Sequence, residues 1–154
     1  MTHDEAALLK QWSCFEAFGI DFCRAVAQLC GDPALKSRWL VMADMEQRML
    51  AEISQCFDGA SAIDGPATDF GGSVELARDF LDRGAVAGSA WLAQQIKDIL
   101  LKLREDVATL SPGRPVIFDR LILHEEAWLD FLQLEASNDP QSSLTAPLNF
   151  LSQN

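Results

Sequence analysis

Leu8, Trp12, Phe15, Gly19, Phe22, Val26 and Leu29 recur alternately four and three residues apart. That spacing lines one face of an α-helix. Thr2 followed by Glu5 forms a capping-box pattern, so a helix is predicted over about 4–30. Gly31-Asp32-Pro33 then supplies a helix end, an N-cap and a first helical residue in succession. A second seam follows, reading Leu35, Trp39, Met42, Glu46, Met49, Ile53 and Cys56, and predicts a helix over 33–57. The short joint between the two makes them an antiparallel hairpin.

The stretch from Asp58 to Gly72 is rich in Gly, Ala, Ser, Asp and Pro. It reads as a long crossover connection with, at most, a short turn of helix. A third helix is expected over 73–110, bent around Gly84 to Gly88, because two glycines in a helix interior mark a kink or a close helix contact. Ser111-Pro112-Gly113-Arg114-Pro115 breaks the chain again. A fourth helix follows over 115–136, with the stripe Phe118, Ile122, Glu125, Leu129, Leu132 and Ala136. These elements predict an all-α, antiparallel four-helix bundle over residues 1–136. The polar tail, 137–154, carries Leu144, Leu148, Phe150 and Leu151 and is expected to pack on the bundle or on a partner.

Composition narrows the function classes. The chain has 154 residues, enough for one sizeable core, and its 49% apolar content is that of a globular protein. A formal net charge of -11 disfavours nucleic acid and anionic membrane as partners, since both need a basic face. No apolar run approaches the length of a membrane span. The N-terminus has no export signal, so a cytoplasmic location and reduced thiols are expected. Cys14, Cys23, Cys30 and Cys56 form no CxxC pair and read as small buried hydrophobes.

The seams are interrupted by carboxylates. Glu46 lies between Met42 and Met49, and Glu125 between Ile122 and Leu129. Glu16 sits on the stripe Leu9, Glu16, Cys23, Cys30 that borders the first seam. Burying an ionised carboxylate is costly unless it is paired, protonated or metal-bound. Three of them on three helices point to a shared polar pocket. The two halves of the chain also align: Gly19 matches Gly88, Phe22 matches Trp91, and Glu46 matches Glu125. Two helix pairs, each with a carboxylate on its second helix, are the plan of di-metal carboxylate bundles. His124 neighbours Glu125 but points about 100° away round the helix, and is expected at the surface or an interface. His3, near the chain start, carries no functional signal.

Glu16-Ala-Phe-Gly-Ile-Asp-Phe-Cys, Gly31-Asp-Pro-Ala-Leu-Lys and Ala43-Asp-Met-Glu46 resemble the first hairpin of the rubrerythrin-like branch of the ferritin-like superfamily. His124-Glu125-Glu126-Ala127-Trp128-Leu129 resembles that family's fourth-helix motif. The resemblance spans about 5–136 and implies a ferritin-like fold. It implies metal ligands at Glu16, Glu46 and Glu125, and it shows where others are lost. Ala85 replaces the glutamate of helix 3, and Met49 and Trp128 replace the two histidines. The reading is therefore a vestigial di-iron site in a non-catalytic protein. Such a protein acts by self-association, as a homodimer, or through an unidentified protein partner. No cofactor is expected, or iron or manganese at low occupancy. The alternative is a metal-binding oxidoreductase with a carboxylate-only iron or manganese site. Trp128 is expected to fill the space of the lost ligand and keep water out.

Overall fold

The computed structural model describes residues 1–57 and 72–153. Six helices make up the described chain: α1 (His3–Leu29), α2 (Pro33–Gln55), α3 (Ser73–Arg83), α4 (Ala85–Ala108), α5 (Ile117–Ala136) and α6 (Thr145–Ser152). The protein is all-α. The expected crossover connection between α2 and α3 falls largely outside the described residues. No helix among them is long and apolar enough to cross a membrane.

The first hairpin forms as its capping residues dictate. The Thr2 hydroxyl accepts from the Glu5 amide, and the Glu5 carboxylate accepts from the Thr2 amide at 2.7 Å. Asp32 accepts from the Ala34 amide at 2.8 Å and Pro33 opens α2, where a missing N–H costs nothing. Phe22 then meets Trp39 edge-on, and Gly19 lies against Glu46, so the chain runs back along α1. The buried line of α1 is rotated from the expected seam. Leu9, Glu16 and Cys23 are buried as deeply as the seam residue Val26, while Leu8 and Phe15 are only half-buried and Leu29 is exposed. α1 packs against α3 as well as α2, so it buries an arc wider than one stripe. Among the cysteines only Cys23 is fully buried; Cys14, Cys30 and Cys56 are half-buried, and all four are free.

The expected third helix is two helices. Gly84 has φ 83° and ψ 153°, a conformation open only to glycine, and it separates α3 from α4. The break folds α3 back toward the start of α4. There a Cβ on Gly88 would lie 2.6 Å from the Phe80 carbonyl oxygen. The obstacle is backbone, which cannot swing aside. Gly88→Ala is expected to destabilise the protein by about 1–3 kcal/mol in denaturant unfolding. An unchanged midpoint would show that α3 and α4 slide freely over one another.

Trp39 is the hub of the core. It is wholly buried and touches the rings of Phe22, Phe80, Trp128 and Phe131, which come from α1, α3 and α5. Met42, Met45 and Met49 fill the irregular space beneath it. Beyond α5, Asn138 takes φ 60° and turns the chain into the tail. α6 lies on α5 and α2, with Pro147 and Phe150 buried. The Arg120 guanidinium covers the Phe150 ring at 4.2 Å and donates to Gln153 Oε1 at 2.8 Å, which ties the tail down.

Candidate metal centre

Glu16, Glu46 and Glu125 are all buried, with 1%, 4% and 5% of their surface exposed. α1, α2 and α5 carry them inward to one point. His124 is there too, with 0% exposure, and this corrects its expected surface position. Its Nε2 lies 3.5 Å from Glu16 Oε2 and 3.7 Å from Glu46 Oε2, and its Nδ1 lies 3.2 Å from Glu125 Oε1. The reason is the width of the buried arc on α5. Ile117, Leu121, His124, Trp128, Phe131 and Glu135 are all buried and spaced four, three, four, three and four apart. That stripe is as regular as the one through Glu125, and it passes through His124. The sequence therefore carries the signal for a buried His124 in the stripe next to that of Glu125.

The local packing fixes each side chain. Gly19 admits the Glu46 carboxyl group, which sits 2.5 Å from where a Cβ would be. Its counterpart in the repeat, Gly88, admits the Phe80 backbone instead, so the two aligned glycines do different work. Trp128 Nε1 donates to Glu46 Oε1. Trp128 therefore positions a carboxylate and lines a cavity, rather than filling the space. The His124 ring stands edge-on to Phe150 of α6, at 5.4 Å between centroids.

Burial raises the Glu16 carboxyl well above the usual range, and the neighbouring charges of Glu46 and Glu125 push the same way. Burial also raises Glu46, against the lowering effect of His124. For His124, burial favours the neutral ring. The Glu46 charge and the contact with Glu125 outweigh it and raise its pKa. All three groups hold protons more tightly folded than unfolded. The stability they supply is complete below their unfolded pKa values and is lost as pH rises through the folded ones. The metal-free protein is therefore expected to lose stability as pH rises from the ordinary carboxylate range through neutrality into mild alkali. Glu46→Gln removes one contributor while leaving His124 its Glu125 partner. At the upper end it should be as stable as wild type or up to about 2 kcal/mol more stable. Thermal unfolding across that range checks both; a strongly destabilised Glu46→Gln would mean that Glu46 is an indispensable counter-charge.

Three buried atoms in this cluster have no hydrogen-bond partner: Glu16 Oε2, His124 Nε2 and Glu125 Oε2. Orphaned polar atoms are rare in folded interiors, and three together mark a place for something that bonds to all of them. Glu16, His124 and Glu125 each offer a ligand atom, all within 4.8 Å of one another. Three donors spread evenly around an ion at about 2.0–2.2 Å lie roughly 3.5–3.8 Å apart, so side-chain closure of about 1 Å on the longest separation would bring these atoms onto one ion. Two carboxylate oxygens and one imidazole nitrogen suit a divalent first-row transition ion. The residues fit a metal ion, and the converging donor set includes one nitrogen.

Compared with known families, curated proteins and solved structures, the chain gives no match.

Proposed function

We propose that this protein is a ferritin-like four-helix bundle that binds one divalent transition-metal ion at Glu16, His124 and Glu125, with Glu46 beside them. The long helices α1, α2, α4 and α5 are the four of the bundle, and α3 is the broken start of the third. The observation that carries the metal reading is the coincidence of two independent features. Each of the three residues whose donor atoms converge also holds a buried atom with no hydrogen-bond partner. His124 Nδ1 and Trp128 Nε1 already pair with Glu125 Oε1 and Glu46 Oε1, yet Glu16, His124 and Glu125 each keep one buried atom unpaired, which is costly without a further partner.

The capacity is one ion, not two. Ala85, Met49 and Trp128 occupy the remaining positions of the family pattern, and among them only the methionine sulfur can coordinate, as a poor partner for a hard ion. His124 supplies the single nitrogen from one turn earlier than the histidine that Trp128 replaces. A bound ion would hold the two carboxylates ionised and His124 neutral, which removes the cost of burying three acids together.

The test is elemental analysis of tag-free protein, followed by titration of metal-free protein with manganese, ferrous and cobalt ions. One equivalent per chain, with a rise in thermal stability, is the expected result. Two tightly held ions would restore the di-metal reading. No uptake would return the protein to the non-catalytic class that acts by association.

A further inference from the structure

α1 and α4 do not meet: among the described residues, no Cα of one lies within 8 Å of a Cα of the other. Between them is a cavity of about 260 Å³. Phe15 and Phe22 of α1, Trp91, Ile96 and Ile99 of α4, and Trp128 of α5 are among its walls. Its polar surface is small and comes from Glu16, Glu46 and Glu125, together with the exposed Gln95. His124 does not line it, so the imidazole approaches the cluster from the side away from the cavity. An ion held by Glu16, His124 and Glu125 would thus turn its remaining coordination positions toward an aromatic-walled space.

That arrangement selects a ligand class. An apolar cavity of roughly 150 Å³ is enough for benzene. Scaled by volume, this one takes about ten non-hydrogen atoms, the size of two fused rings. The walls favour an aromatic body, which can stack or meet Phe15, Phe22, Trp91 and Trp128 edge-on. An anion is disfavoured by three adjacent carboxylates in a dry space, and a cation would compete with the metal for the same oxygens.

We infer that the cavity between α1 and α4 binds a neutral aromatic molecule of about two fused rings, which presents one nitrogen or oxygen donor to the metal. This rests on the metal reading of the Glu16, His124 and Glu125 cluster. The cavity is part of the same site: the metal end fixes the orientation of the ligand, and the aromatic walls set its size and polarity.

The pair naphthalene and isoquinoline tests this, because the two share a shape and differ by one nitrogen donor. Calorimetry on the metal-free protein, at mildly alkaline pH where isoquinoline is neutral, should show similar affinities for both. On the cobalt-loaded protein, isoquinoline should bind at least about ten-fold tighter than naphthalene and shift the visible cobalt absorption, a direct sign of coordination. Naphthoate should bind neither form. Ile96→Trp fills the cavity without touching the cluster. It should retain cobalt and lose the isoquinoline-induced shift, and Ile99→Trp provides the same block if the first variant fails to fold. Absence of naphthalene binding to the metal-free protein overturns the inference while leaving the metal reading intact. So does a shift that survives both filling variants, or a cobalt spectrum indifferent to isoquinoline. Failure to take up cobalt overturns the metal reading and this inference together, and naphthalene binding then separates that failure from loss of the cavity.

Discussion

His124→Leu is expected to lower the affinity for a divalent transition ion by at least about 100-fold. His124 is the only nitrogen among the converging donors, and its Nε2 faces Glu16 Oε2 across 3.5 Å. Leucine removes that donor and leaves two carboxylates on separate helices, with nothing between them to hold an ion. Alanine would also open a void beside Phe150, so leucine is the cleaner choice. Titration with cobalt, read by its visible absorption, gives the affinity directly. Circular dichroism confirms that the helices remain. Glu125→Gln provides the companion measurement, because it keeps the shape and one oxygen acceptor but removes the charge. It should weaken binding less than His124→Leu does. Unchanged affinity in the histidine variant would mean that the carboxylates alone hold the ion, with Glu46 completing the set.

The sequence made the helices legible because their ends carry specific chemistry. Thr2 with Glu5, and Asp32 with Pro33, satisfy the amides at helix starts, and the structure uses both. The break at Gly84 was less legible. A glycine in a helical pattern is compatible with a bend or with a full reversal of φ, and the contact that decides between them, Gly88 on Phe80, lies four residues further on. The burial of Glu16, Glu46 and Glu125 followed from their places in apolar stripes. A single apolar stripe leaves His124 outside the core, whereas α5 packs against α4, α2 and α6 and buries two stripes. The spacing places Gly19 on the seam, but its role as the recess for the Glu46 carboxyl depends on how closely α2 approaches α1, which no local pattern encodes. Helices α1 and α4 carry ordinary apolar faces, and only their separation in space makes a cavity between them.

Arg38→Met is expected to cost about 3–5 kcal/mol of stability. Arg38 donates from Nε to Glu135 Oε1 at 2.6 Å and from Nη2 to Glu135 Oε2 at 3.0 Å, a two-pronged pair joining the start of α2 to the end of α5. Glu135 is 5% exposed, and the Ser143 hydroxyl donates to its Oε1 at 2.7 Å. Glu135 ends the same buried stripe of α5 that contains His124. Without the guanidinium, a buried carboxylate keeps one hydroxyl donor and no counter-charge. Breaking one side of such a pair is far worse than removing both sides. The double variant Arg38→Met with Glu135→Leu should therefore recover most of the loss. The pair sits away from the metal cluster, so cobalt affinity of the folded Arg38→Met protein should be unchanged while its thermal midpoint falls by roughly 10 °C. Urea unfolding of the two single variants and the double gives the coupling between the residues directly. A loss below about 1 kcal/mol for Arg38→Met would place this pair with exposed surface salt bridges, and would mean that water reaches Glu135 once the arginine is gone.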